Sequence, residues 1–217
     1  MTSNLAHSVA ASPDLARDPK INAVLSQSQP GIVNFYPTDA TIYAQGDHAG
    51  HLYLVEFGTV RLSRVTSDGR RQITNFCFAG DVFGLEEGDE HEFSAESVDG
   101  AGIRALRPAN VTGFAQSVLS IALRSFAHVQ KHMLLLGRLG ANEKMARFLV
   151  DLMERQHAGD DVINLPMQRN DIADYLGITF ETVSRSLRVL KDRGLIRLNS
   201  ISQIEVLDED GLIEMAA

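Results

Sequence analysis

The feature that most restricts the fold is a run near the carboxyl end of the chain, DIADYLGITFETVSRSLRVLKDRGLIRL, residues 171–198. Apolar residues recur at helical spacing on both sides of Gly177, and Thr179 is a natural N-cap for the second helix. Two short helices that flank a glycine-containing turn predict a helix-turn-helix. The residues that would form the buried side of the second helix are Val183, Leu187 and Leu190.

The residues after this second helix predict a β-hairpin. Leu195–Leu198 and Ile204–Val206 are strand-like runs, and Asn199–Ser200 lies in a turn between them. A helix-turn-helix followed by such a hairpin is a winged helix-turn-helix.

In a helix-turn-helix that binds DNA, the second helix enters the major groove and its amino-terminal residues reach base edges. With the apolar side buried, Glu181, Ser184 and Arg185 point outward. Arg185 can donate to guanine O6 and N7, and Glu181 can accept from cytosine N4. Ser184 is small enough to approach a base or a thymine methyl. The alternative is an incidental i,i+4 ion pair, worth only ~0.2–0.5 kcal/mol to an isolated helix.

The net charge of −8 argues against nucleic acid until its distribution is considered. Between Gln72 and Ile103 there are eight acids and no lysine or arginine. Between Glu181 and Arg197, five bases oppose two acids. Local charge, rather than overall pI, attracts a phosphate backbone, so the second helix stays a candidate for DNA binding.

A separate region, from about residue 34 to residue 107, consists of short β-rich runs: TIYA, HLYLVEFG, TVRLSRV, RQITNFCF and GIRAL. The tripeptide SDG at 67–69 predicts a hairpin between two of them. Glycines recur between the runs at Gly46, Gly58, Gly69 and Gly80. Regular short strands with glycine at the corners predict a small antiparallel barrel or β-roll.

After Pro108 the pattern changes to a long helix that stops at Gly140. One apolar stripe has the alternating 3,4 spacing of a coiled-coil seam, which predicts dimerisation; the alternative is a monomer core. A second side, Leu123, Ala127, Leu134 and Leu135, would cover the β-roll. The stripe consists of Leu119, Ala122, Phe126, Val129, Met133 and Leu136.

Together these features predict an α+β chain with four parts. They are a flexible tail (1–28), an antiparallel β-roll domain (29–116), a dimerisation helix (117–140) and a winged helix-turn-helix domain (141–217). No apolar run approaches the ~20 residues of a membrane span. The amino terminus lacks the cationic start and apolar block of a signal peptide, so we expect a cytoplasmic protein with no membrane partner.

The run LPMQRNDIADYLGITFETVSR, with the β-roll and long helix before it, resembles the CRP/FNR family of bacterial transcription regulators, most closely its FixK-like subgroup. The resemblance spans about Val33 to Val206. It implies a β-roll of the cyclic-nucleotide-binding type and a homodimer that reads TTGA-type half-sites in an inverted repeat through Glu181, Ser184 and Arg185. It also implies a regulator, most simply an activator, in a low-oxygen or nitrogen-oxide response. The implied phosphate contacts are Arg169, Thr179, Thr182, Arg188 and Lys191.

The resemblance also bears on cofactors. Relatives that bind cyclic AMP hold its phosphate with an arginine before Ser-Ala, but here Phe93 precedes Ser94–Ala95. A buried phosphate among carboxylates without a cation is strongly unfavourable, which excludes cyclic AMP. The iron–sulfur branch needs four cysteines, and Cys77 is the only cysteine. We therefore expect no cofactor.

Two alternatives stay open for the regulation of this chain. His128 and His132 at i,i+4, or Cys77, could serve a haem-gated or small-ligand-gated regulator, and Cys77 could act in redox chemistry. The more ordinary interpretation is that the histidines are solvated and that Cys77 is a small core residue.

An acidic loop, Glu86, Glu87, Asp89 and Glu90, is either a solvated turn or a contact for RNA polymerase, which relatives touch through β-roll loops. A nucleophile–base set, a metal cluster and a phosphate-binding glycine loop are all missing from the sequence, so we do not expect an enzyme. A regulatory subunit of an enzyme is the weaker alternative.

Overall fold

The structure is a computed structural model, and it describes residues 19–156 and 161–216. The chain forms two compact units. Among the described residues, the first contains residues 19–64 and 74–126, and the second contains residues 65–73, 127–156 and 161–216. The unit boundary thus falls inside the long helix. The sequence predicted boundaries at residues 116 and 140, with the helix as a separate part between them.

Eight strands follow an amino-terminal helix in chain order: α1 (Pro19–Ser26), β1 (Val33–Tyr36), β2 (Thr41–Tyr43), β3 (Leu52–Phe57), β4 (Val60–Val65), β5 (Arg71–Cys77), β6 (Val82–Phe83), β7 (Ser94–Ser97) and β8 (Ala101–Leu106). They form two four-stranded sheets, ordered β1-β8-β3-β6 and β2-β7-β4-β5. Val55, Val60 and Ala95 are fully buried in the core of these sheets. The predicted β-roll is confirmed.

Two of the predicted corner glycines show why glycine is needed there. Gly69, with φ of 80°, closes the β4–β5 hairpin through a hydrogen bond from its N–H to the Thr66 carbonyl. At Gly58, with φ of 79°, an added Cβ would lie 2.2 Å from the carbonyl oxygen of Gly100. An L side chain at Gly58 would be strained by its backbone angle and blocked by its neighbour.

The helix α1 corrects the prediction of a flexible tail over residues 1–28, since residues 19–26 are helical. Ile21 and Val24 lie in a buried cluster with Leu54 and Leu106. An isolated eight-residue helix is marginal in water, so this burial is what stabilises it. The rest of the predicted tail, residues 1–18, lies outside the described residues.

The long helix α2 (Val111–Arg138) begins three residues after Pro108, where the sequence predicted the change from strands to helix. The Asn110 side chain accepts hydrogen bonds from the N–H groups of Thr112 and Gly113, which satisfies the first turn. Within the described residues, no helix is long and apolar enough to cross a membrane.

Most of the apolar surface of α2 is exposed in the single chain. Leu119, Phe126 and Met133 are 60%, 60% and 66% exposed, which contradicts the monomer-core alternative. The prediction that Leu123, Ala127 and Leu134 are covered is also wrong, because all three are exposed and only Leu135 of that side is buried. The apolar face of α2 is therefore wider than one chain covers.

The second unit is built on α3 (Ala141–Gln156), α4 (Arg169–Leu176), α5 (Phe180–Asp192) and α6 (Glu209–Met215). The strands β9 (Val162–Asn164), β10 (Ile196–Leu198) and β11 (Gln203–Val206) form a sheet ordered β10-β11-β9. Ile196 pairs with Val206 and Leu198 with Ile204, so the predicted wing hairpin is confirmed. The sequence did not predict α6, a seven-residue helix that contains Gly211, buries Leu212 and is capped by Asp208.

Candidate nucleic-acid interface

The turn between α4 and α5 has the backbone geometry that the sequence predicted. Gly177 adopts φ of 62° and ψ of 40°, the left-handed region that glycine favours, and its N–H donates to the Ala173 carbonyl. The Thr179 hydroxyl accepts from the N–H of Thr182 and so caps α5. These two contacts fix the direction in which α5 leaves the turn.

One face of α5 anchors it in the second unit. Val183 and Leu190 are fully buried and Leu187 is 2% exposed. Lys144 of α3 adds a buried contact, because its Nζ donates to the carbonyl of Leu176 at the end of α4 at 3.2 Å. The sequence analysis missed Lys144; a lysine within the apolar pattern of α3 is the signal that could have found it.

The opposite face of α5 presents the three residues predicted to read bases. Glu181 and Arg185 are exposed and Ser184 is half-buried beside them. They lie together near the amino-terminal end of a helix whose other face is fixed. Phe180, the first residue of α5, is 45% exposed next to Glu181 and was not among the predicted contacts.

The electrostatics at Glu181 favour a carboxylate. Hydrogen bonds from its own backbone N–H and from the Thr179 hydroxyl lower its pKa, and the nearby Arg185 contributes in the same direction. In the described part of the chain, Glu181 and Arg185 form no ion pair with each other. Both side chains are therefore available to other partners, as base reading requires.

The predicted phosphate contacts surround this face. Thr179 and Arg188 are exposed, as is Lys191, while Thr182 is half-buried. Arg188 lies 3.8 Å from Asp192 in an open i,i+4 pair. Arg169, at the start of α4, is half-buried, and its Nη1 donates to Ser184 Oγ at 3.1 Å. The sequence predicted a phosphate contact for Arg169 but not this contact with Ser184, a residue predicted to read bases.

The residues that bear on cyclic-nucleotide binding and on a polymerase contact belong to the β-roll and not to the helix-turn-helix. Phe93 is half-buried before the strand that starts at Ser94. In the acidic loop Glu87, Asp89 and Glu90 are exposed. Glu86 differs from them, because its side chain is half-buried and contacts the ring of buried His91 at 3.2 Å.

Cys77 and the two histidines of α2 are largely covered by other residues. Cys77 is 1% exposed in the β-roll core, and Asn75 Nδ2 lies 3.5 Å from its sulfur. The prediction that the histidines are solvated is wrong. His132 is 8% exposed and stacks on Tyr175, and His128 is half-buried against Arg155. Burial lowers the pKa of each histidine to about 4, helped by Arg155 at His128 and by Lys144 at His132.

Among the described residues, no group of three or more His, Cys, Asp or Glu side chains is arranged to hold a metal ion.

Comparison with known protein families gives two matches that follow the division of the fold. Residues 33–119 match the family model described as a cyclic nucleotide-binding domain. Residues 143–215 match the Crp-like helix-turn-helix domain.

Individual relatives match along most of the chain. The nitrogen fixation regulation protein FixK of Rhizobium meliloti is 43% identical over 185 residues, which covers 85% of this chain and 87% of the relative. The protein of the same name from Azorhizobium caulinodans is 37% identical over 97% of this chain and 87% of its own. The solved structure of FixK2 from Bradyrhizobium japonicum superposes with a TM-score of 0.80 at 36% identity, covering 87% of this chain and 98% of that one.

Proposed function

This chain belongs to the CRP/FNR family of transcription regulators as a FixK-like member with a helix-turn-helix DNA-binding domain, and we propose that it binds a TTGA-type inverted repeat as a homodimer. The observation that carries the proposal is the arrangement of α5. Its buried face is fixed by Val183, Leu187 and Leu190, and Glu181, Ser184 and Arg185 lie on its free face.

Each residue on that face has a chemically distinct role. Arg185 donates two hydrogen bonds to one guanine, and the ionised Glu181 accepts from the amino group of a cytosine. Ser184 reads the base pair between or beside them. Arg169, Thr179, Thr182, Arg188 and Lys191 hold phosphates, which add affinity without sequence information.

The homodimer follows from the exposed stripe on α2. Leu119, Phe126, Val129 and Met133 expose between 49% and 66% of their surface along one helix. A contiguous apolar stripe at alternating 3,4 spacing is what a second copy of the same helix would cover. Two recognition helices then lie ~34 Å apart, one turn of DNA, which accounts for an inverted-repeat site.

We propose that DNA binding needs neither cyclic AMP nor an iron–sulfur cluster. In the described β-roll, two arginines of the strands are engaged by carboxylates. Arg104 pairs with buried Glu56, and Arg61 contacts Asp39 and Glu96. Neither cation is free for a phosphate, and the acids nearby repel one.

The physiological role that fits a FixK-like chain is transcription activation in a low-oxygen or nitrogen-oxide response. The acidic loop at Glu87, Asp89 and Glu90 is exposed and is our candidate contact with RNA polymerase.

The decisive experiment is selection from a pool of random duplexes by the purified, ligand-free protein. We expect enrichment of a two-fold symmetric site with TTGA-type half-sites. An enriched site without symmetry would contradict the homodimer, and enrichment only after haem or another effector is added would contradict effector independence.

A further inference from the structure

The contact between Arg169 and Ser184 joins the start of α4 to the base-reading face of α5. Arg169 Nη1 lies 3.1 Å from Ser184 Oγ, and both side chains are half-buried. The two residues are fifteen positions apart and meet only because the turn at Gly177 folds α4 against α5.

The chemistry of the two groups fixes the direction of the hydrogen bond. A guanidinium has five N–H donors and no acceptor, whereas a hydroxyl has one O–H donor and two lone pairs. Arg169 therefore donates and Ser184 accepts. The hydroxyl hydrogen of Ser184 must turn away from the guanidinium, because this hydrogen carries a partial positive charge and the guanidinium a full one.

A serine inside a helix can direct its hydroxyl hydrogen to a carbonyl one turn earlier. Ser117 and Ser120 of α2 do this, donating to the carbonyls of Gly113 and Ser117. Ser184 does not donate to its own helix anywhere in the described structure. Its hydrogen is thus left for a partner outside the helix, on the face where Glu181 and Arg185 are exposed.

We propose that Arg169 is a positioning residue for sequence recognition, which sets the Ser184 hydroxyl as a donor to a base-edge acceptor in the major groove. The acceptor is guanine O6 or N7, adenine N7 or thymine O4. This inference rests on the proposed function. The remaining N–H groups of Arg169 stay available for a phosphate, so one side chain links backbone binding to base selection.

The test measures the affinity of full-length protein for the selected duplex and for every single base-pair variant of it. The variants are Arg169→Ala, Ser184→Ala and their combination. Arg188→Ala is the matched control. Arg188 is an exposed arginine on α5, the helix that carries Ser184, but it contacts Asp192 and not Ser184. Thermal unfolding of each variant establishes that it is folded.

We expect Arg169→Ala and Ser184→Ala to lose discrimination at the same base pair, each by about three- to tenfold, as the loss of one hydrogen bond would give. The double variant should lose no more discrimination there than Ser184→Ala alone. Arg169→Lys, which keeps a donor and the charge, should restore part of it. Arg188→Ala should weaken all duplexes by one common factor.

Two outcomes would overturn the inference, and they can be told apart. If the wild-type protein discriminates but Arg169→Ala weakens every duplex equally, Arg169 binds phosphate only and the proposed function survives. If the wild-type protein itself shows no preference among duplexes, the proposed function and this inference both fail.

Discussion

Arg71 of the β4–β5 hairpin donates to the carboxylate of Asp171 on α4 at 2.6 Å. The same guanidinium contacts Asp174 one turn further along the helix, and Gln72 donates to the Asp174 carbonyl. The side chain of Asp171 is only 4% exposed. A buried carboxylate needs a cation close by, so this hairpin supports the first helix of the helix-turn-helix.

Arg71→Ala should therefore lower the free energy of unfolding by about 2 kcal/mol, below the full cost of breaking a buried pair because Arg71 is itself partly exposed. Urea unfolding at pH 7 measures the change. The matched control is Arg70→Ala, since Arg70 is 86% exposed beside Asp68 and should cost less than about 0.5 kcal/mol. Equal losses in the two variants would contradict a specific role for the Arg71 contact.

From the lowered pKa values of the two histidines of α2, we expect stability to depend on pH. Both ring nitrogens of His132 are buried without a hydrogen-bond partner among the described residues, and its pKa falls from 6.5 to about 4. Between pH 4 and pH 6.5, His132 therefore binds a proton in the unfolded chain and stays neutral in the folded chain. Stability is therefore retained above pH 6.5 and lost as the pH drops towards 4.

We expect His132 alone to reduce the free energy of unfolding by about 2 kcal/mol between pH 7 and pH 5. His132→Phe keeps a ring against Tyr175 and removes the titrating group, so it should abolish this share of the pH dependence. His128, whose pKa is lowered to about 4 by burial and by Arg155, adds a second contribution of the same sign. Urea unfolding at both pH values provides the comparison, and an unchanged pH dependence in His132→Phe would refute the assignment.

Sequence patterns predicted the elements that are determined by residues close to one another in the chain. The helix-turn-helix follows from a glycine that adopts a positive φ, a threonine cap and the apolar spacing of α5, all within a few turns. The β4–β5 hairpin likewise follows from SDG, residues that suit a tight turn.

Contacts between distant parts of the chain could not be predicted in this way. Arg71 and Asp171 are one hundred residues apart, and nothing in the spacing of either residue identifies the other. The helix α1 and the burial of His132 depend in the same way on surfaces that other segments provide. The residues predicted to read bases were accessible to sequence reasoning because helical periodicity decides which side of α5 is buried.

The exposed stripe on α2 predicts a dimer that a single charge can weaken. Met133→Glu places a carboxylate where two copies of α2 would meet, and its burial is unfavourable. We expect the monomer–dimer equilibrium to shift by at least about tenfold, or about 1.4 kcal/mol, toward the monomer. Sedimentation measures the shift. Ile201→Glu, at an 86% exposed position in the wing turn, is the control and should leave the equilibrium unchanged.

The acidic loop offers a test that separates DNA binding from activation. Glu87→Lys combined with Glu90→Lys reverses two exposed charges that lie outside α5. If this loop contacts RNA polymerase, transcription in a purified system should fall several-fold while affinity for the promoter duplex stays within about twofold of wild type. Glu209→Lys, an exposed acid in α6, is the matched single-charge control. Full transcription by the double variant would reject the loop as a contact.

The most specific prediction about sequence recognition concerns Arg185. Its side chain is exposed and unpaired with Glu181 in the described structure, so it is free to donate to guanine O6 and N7. Arg185→Ala should cost ~1–3 kcal/mol against the selected site and relax discrimination at one base pair. Lys191→Ala, in the last turn of the same helix, should instead weaken all sequences alike and reduce the salt dependence. Anisotropy titrations with single base-pair variants distinguish the two patterns. Undiminished preference for the selected site in Arg185→Ala would mean that other residues of α5 read that guanine.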